Sequence, residues 1–114
     1  MNLKLSSRQV GEVNVLDVAG RINLGEESNA FRDALNELVA RHQKKILVNL
    51  AEVTFLDSWG IRELATALNA VNKDGGQLKL ANPSKRVKDL LRITRMDTVI
   101  QVHDDEAAAL ASFT

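Results

Sequence analysis

Apolar residues along this chain are spaced in two ways, and the spacing changes several times. Leu3 to Arg8 begins as an alternating stretch. Gly11-Glu12 then turns the chain into Val13-Asn14-Val15-Leu16-Asp17-Val18-Ala19, and together these predict a two-stranded hairpin. Asn23 through Glu27 supply a helix start, with acid in the first turn where the helix dipole favours it. Ala30, Phe31, Ala34, Leu35, Leu38 and Val39 follow at three- and four-residue steps, the spacing of one helical face, and Lys44-Lys45 is read as the end of that helix. Ile46-Leu47-Val48-Asn49-Leu50 is nearly continuous and rich in branched residues, as suits a strand covered on both faces.

Phe55-Leu56 is again strand-like, and Asp57-Ser58-Trp59-Gly60 leads from it into a helix whose face is Ile61, Leu64, Ala65, Leu68 and Val71. Gly75-Gly76 stops that helix, and Gln77 to Ala81 predicts another strand. Ser84 is placed to cap a third helix bearing Val87, Leu90 and Leu91. Thr98 to Val102 predicts a last strand, and Asp104-Asp105-Glu106 opens a final helix through Ala107, Leu110 and Ala111. Two strands followed by alternating helix and strand predict an α/β domain, with a mixed but mainly parallel sheet flanked by helices. Functional groups in such folds gather at the carboxyl ends of the strands.

Composition narrows the function classes. The 114 residues make one domain, expected over 1–114. Lysine plus arginine number 15, as do aspartate plus glutamate, so the overall charge points to neither nucleic acid nor an anionic membrane as partner. There is no cysteine, which removes disulfides, thiolate metal sites and a thiol nucleophile, and fits a cytoplasmic location. No apolar run is long enough to insert into a bilayer, and Met1 to Leu5 lacks the apolar core of a signal peptide.

Candidate chemistry is sparse. His42 falls at a helix end and His103 precedes an acidic helix start, and neither belongs to a metal-ligand pattern. Gly75-Gly76 ends a helix instead of opening one, so no phosphate loop is present, and Ser58 lacks the flanking glycines of a hydrolase nucleophile. Asp104-Asp105-Glu106 lacks the spacing of a calcium loop and is explained by the helix start. Lys85-Arg86-Val87-Lys88 has no interleaved aromatics and reads as a solvated face or part of a protein-binding rim. No catalytic residue, metal site or cofactor is expected. What remains is the turn at Asp57 and Ser58, where either side chain suits the N-cap. Trp59, the single tryptophan, lies off the apolar helical face. It has two readings of equal standing, an exposed interface anchor or a lid folded over the sheet edge.

Leu56-Asp57-Ser58-Trp59-Gly60-Ile61, set between the strand and the amphipathic helix, resembles the signature of the STAS domain. This family includes the anti-sigma factor antagonists and domains of sulfate transporters. Gly20-Arg21-Ile22-Asn23 looks like the family's glycine-containing turn before the first helix. Gly75 to Asn82 and Val87-Lys88-Asp89-Leu90-Leu91 resemble further family segments, so the likeness spans the chain.

The resemblance implies a non-catalytic antagonist in a partner-switching pathway. Unphosphorylated, such a domain binds an anti-sigma factor that is also a serine/threonine kinase. Phosphorylation of the serine after the motif aspartate, here Ser58, releases it, and a PPM-type serine phosphatase restores it. The partner-binding residues carried over are Asn23, Asp57, Ser58, Trp59, Gly60, Ile61 and Arg62. Three positions depart from the pattern: Trp59 replaces a second small hydroxyl residue, Arg62 a glycine, and Asn23 an aspartate. The alternative is a cytoplasmic STAS accessory subunit of an ABC-type lipid transporter. An enzyme or small-ligand receptor using the same turn as an anion pocket is a third reading.

Overall fold

The computed structural model describes residues 3–23 and 25–113. Strands β1 (Lys4–Val10) and β2 (Val13–Ile22) form the hairpin and precede helix α1 (Glu26–Ala40). There follow β3 (Lys45–Leu56), α2 (Ser58–Lys73), β4 (Gln77–Ala81), α3 (Lys85–Ile93), β5 (Gln101–His103) and α4 (Glu106–Ala111). The sheet runs in the order β1-β2-β3-β4-β5. Only β1 is antiparallel to its neighbour; β2 with β3, β3 with β4 and β4 with β5 are parallel.

The central strands are apolar on both faces because both are covered. Leu16, Val18, Ile46, Val48, Leu78 and Leu80 pack with Phe31 and Leu35 of α1, Leu64 and Leu68 of α2, and Val87 and Leu91 of α3. The alternate positions Val13, Val15, Leu47 and Ala81 meet Ala109 of α4 on the opposite face. Three helices on one face and one short helix on the other enclose two apolar layers.

Helix ends follow ordinary capping chemistry. Asp57, Ser84 and Asp105 accept helix N–H bonds at the starts of α2, α3 and α4. After α1, His42 N–H donates to the Val39 carbonyl and Gln43 N–H to that of Leu38, with His42 at φ 59. Gly75 repeats this left-handed stop after α2. The first helix therefore ends at Ala40, ahead of Lys44-Lys45, and Lys45 already belongs to β3.

Three expectations are corrected. Gly20-Arg21-Ile22 is not a turn: β2 continues to Ile22, with Gly20 at φ 111 beside a bulge. Strand β3 extends well past Leu50, because it keeps pairing with β2 as far as Ile22 opposite Leu56, across two bulges that each insert one extra residue opposite β2. The predicted strand Thr98–Val102 is mostly a turn. A 3₁₀ segment, Met96–Thr98, ties Thr98 N–H and its hydroxyl to the Arg95 carbonyl, and Val99 and Ile100 N–H to that of Met96. Only Gln101 to His103 remain to pair with β4.

Beyond Asn49, β3 has no partner in β4, so its last seven residues, Leu50 to Leu56, lie beside β2 alone. This overhang carries Asp57 and Ser58.

A polar chain crosses the α4 face of the sheet. Arg8 donates to both Asp17 oxygens (2.6 and 3.1 Å) and to both Glu106 oxygens (2.6 and 3.1 Å). Asn49 donates to Asp17 (2.8 Å), and Asn82 donates to Asn49 (2.9 Å). The bond from Arg8 holds the Asp17 carboxyl below its ordinary value of 3.8. A carboxyl lowered on folding stabilises the native state above its ordinary pKa, and that stability is lost as pH falls through the folded value. Arg8→Gln is therefore expected to remove stability near neutral pH and to flatten the loss below about pH 4. Denaturant unfolding across that pH range checks it; parallel curves for the two proteins would refute it.

Candidate functional site

The carboxyl ends of β2 and β3 meet side by side, with Ile22 opposite Leu56. Asp57 N–H donates to the Ile22 carbonyl at 3.2 Å, so the turn leaving β2 and the turn entering α2 are neighbours. This places Asn23 beside the Asp57-Ser58 turn. Asn23 is half-buried, and its Oδ1 has no hydrogen-bond partner among the described residues.

Asp57 is the N-cap. Its backbone is extended (φ −104, ψ −175), and Oδ1 accepts from Trp59 N–H at 3.0 Å and Gly60 N–H at 3.2 Å. The Asp57 carbonyl accepts the first helical bond, from Ile61 N–H at 3.1 Å. Ser58 is consequently the first helical residue and is exposed. Its hydroxyl has no capping duty and makes no described hydrogen bond. The helix start is closed by one side chain, which leaves the next free for chemistry.

Trp59 is 41% exposed, and the Arg62 guanidinium lies over its ring at 5.5 Å. The Trp59 ring is thus partly open to solvent. Gly60 and Ile61 face inward instead. A Cβ on Gly60 would stand 2.3 Å from Leu56 Cδ1 and 3.0 Å from Ile22 Cγ2, so a larger residue here would force the Leu56 side chain to move. Ile61 is 8% exposed and belongs to the core. Of the seven residues expected at the site, Asn23, Asp57, Ser58, Trp59 and Arg62 form its surface, and Gly60 and Ile61 set its position.

Sequence reasoning missed the neighbouring groove. Phe55 and Leu56 of β3 and Leu90 and Ile93 of α3 line an apolar hollow of about 270 Å³, with Arg86 and Asp89 on its rim. Ile93 is 74% exposed, and the Arg21 guanidinium covers the Phe55 ring at 4.5 Å. Ile93 is apolar yet lies off the face marked by Val87, Leu90 and Leu91, and that was the available signal.

The other candidates have structural roles. His42 Nδ1 lies 3.2 Å from Asp74 Oδ2, where Lys44 also pairs, joining the ends of α1 and α2. His42 and Lys44 together hold the Asp74 carboxyl below its ordinary value. His103 is half-buried, with Nε2 3.2 Å from Gln101 Oε1. The acidic run is divided among three tasks: Asp105 caps α4, Asp104 pairs with Lys88, and Glu106 pairs with Arg8. In the basic run Val87 is buried, while Lys85 faces Asp89 and Lys88 faces Asp104. Among the described residues no cluster of histidine, aspartate and glutamate could hold a metal ion, and no helix is long and apolar enough to cross a membrane.

Comparison with known proteins adds four findings. Residues 4–109 match the family profile of the STAS domain. The chain is 28% identical over 102 residues to the anti-sigma-B factor antagonist of Bacillus subtilis (strain 168), covering 90% of this chain and 92% of that one. Among solved structures, an anti-sigma factor antagonist from Mycobacterium paratuberculosis superposes with a TM-score of 0.91 at 20% identity, covering 98% of this chain and 94% of that one. The Bacillus cell fate determinant SpoIIAA in its phosphorylated form superposes with a TM-score of 0.72 at 16% identity, covering 96% and 97%.

Proposed function

This chain belongs to the STAS domain family, and on that premise we propose that it is an anti-sigma factor antagonist switched by phosphorylation of Ser58. Unmodified, it docks on an anti-sigma factor that is also a serine/threonine kinase, using the exposed surface of Ser58, Trp59 and Arg62 and the adjoining groove. The kinase transfers the γ-phosphoryl group of ATP to Ser58 Oγ. The bond to the β-phosphate breaks, ADP leaves, and the hydroxyl proton passes to the kinase. A PPM-type phosphatase transfers the phosphoryl group to water, which returns the hydroxyl and releases inorganic phosphate.

The observation that carries this reading is the division of labour at the start of α2. Asp57 closes the first turn, so Ser58 is exposed, uncommitted and modifiable without unravelling the helix. The added group brings about −1.5 to −2 charges. The helix N-terminus tolerates an anion, whereas a partner surface that strips water from it beside Asp57 does not. Release thus follows from local charge and bulk, with no rearrangement of the fold. The names of the relatives support the antagonist reading, and the phosphorylated neighbour supports the form of the switch.

The test compares the parent chain with Ser58→Ala, each immobilised with its kinase partner. Adding ATP is expected to release the parent, with one phosphate appearing in its intact mass, and to leave the alanine variant bound. Retention of both in ATP would overturn the switch. An ATPase subunit held by both proteins regardless of ATP would favour a transporter accessory subunit instead.

A further inference from the structure

Arg62 is the only cation in the first two turns of α2, and its described contact is the exposed ring of Trp59. Among the described residues no carboxylate forms an ion pair with it. It lies four residues after Ser58 and three after Trp59, so it sits one turn along from both. Side chains at that spacing are neighbours, and Cα–Cβ bonds tilt toward the helix N-terminus, so Arg62 leans toward the turn carrying Ser58.

We propose that Arg62 is the residue that clasps the phosphoryl group on Ser58, leaving the Trp59 ring when that group is added. The inference rests on Ser58 being the phosphoacceptor. A guanidinium presents a planar fork of N–H donors that matches phosphate oxygens, and such charge-assisted bonds are stronger than its attraction to an exposed aromatic face. A single swing of Arg62 therefore couples two changes: the new anion is partly neutralised on its own helix, and the Trp59 ring loses its cover. The partner-facing surface changes in shape as well as charge, although the backbone stays in place.

The clasp itself is tested without a kinase. Phosphoserine is placed at position 58 during synthesis, and the second ionisation of the phosphate is titrated by phosphorus NMR in the parent, Arg62→Gln and Arg62→Lys. An ion pair favours the dianion, so the parent should ionise about half a pH unit below Arg62→Gln. Arg62→Lys should fall between the two. Trp59, the single tryptophan, reports the other half of the swing: phosphorylation should change its emission more in the parent than in Arg62→Gln. Equal titrations in the parent and Arg62→Gln would overturn the clasp. A parent chain left unmodified by ATP and its kinase partner would overturn the phosphoacceptor reading instead, whatever the titration shows. Arg62 is exposed, so neither substitution threatens folding.

Discussion

Replacing Ser58 by glutamate is expected to weaken binding of the anti-sigma partner at least about a hundredfold, leaving the domain folded. Ser58 lies at the centre of the proposed docking surface, next in sequence to Asp57. A new carboxylate there is desolvated on docking against a partner that supplies no counterion, and an exposed pairing with Arg62 one turn along offsets only a small part of that cost. Isolating one charge in an interface costs about 3 kcal/mol or more, and each 1.4 kcal/mol is roughly tenfold in affinity. Nothing comparable opposes folding, because the residue is exposed and the helix N-terminus favours an anion. Affinity by calorimetry and helix content by circular dichroism separate the two effects. A variant that binds like the parent, or loses helix, would contradict the mechanism. Glutamate carries one charge where phosphate carries nearly two, so the modified protein should bind more weakly still.

The second large effect concerns stability, and it arises on the face of the sheet that α4 covers. Lys79 in β4 is 5% exposed. Its ammonium donates to the Ser112 carbonyl and hydroxyl, both at 2.8 Å, and lies 4.7 Å from the centroid of the Phe113 ring. No described carboxylate pairs with it, and burial pushes its pKa below the ordinary lysine value. The side chain thus contributes a packed aliphatic stem and an ammonium whose desolvation offsets much of its bonding. Lys79→Ala is expected to lower stability by about 2 kcal/mol, chiefly through the cavity left by the stem. Lys79→Met, which restores the stem without the charge, should recover most of that loss. Equal losses in denaturant unfolding would place the stabilisation in the ammonium bonds instead.

Much of this architecture was legible because several elements keep a clean period. The faces of α1 and α2 follow three- and four-residue spacing, β4 lies where Gln77 to Ala81 predicts it, and Ser84 is the cap of α3. The far end of β3 was not legible, since its bulges break the alternation that marks a strand. Residues 98–100 have strand-forming side chains, but local turn bonds claim their N–H groups. At the site, the Asp57-Ser58 turn stood out, and helical spacing already put Ile61 on the apolar face and Trp59 off it, yet the family motif carried Gly60 and Ile61 over as partner-binding although both are buried. The groove escaped notice for a related reason. Its walls come from β3 and α3, about 35 positions apart in sequence, and only the fold brings them together.

The overhang of β3 also bears on how an enzyme could reach the serine. A cleft that grips its substrate as an extended segment would need the residues around Ser58 to leave the helix start. Those residues stand on two strands, while the remaining strands end earlier. Fraying the last pairs between Ala19–Ile22 and Glu52–Leu56 would free the turn without disturbing β3 against β4 or the layer beneath α4. Access to the acceptor then becomes a local opening, with a free energy well below that of global unfolding. The same strand that holds the switch rigid for a partner thereby sets what must open, at the cost of exposing Ile22, Val53 and Leu56 to water.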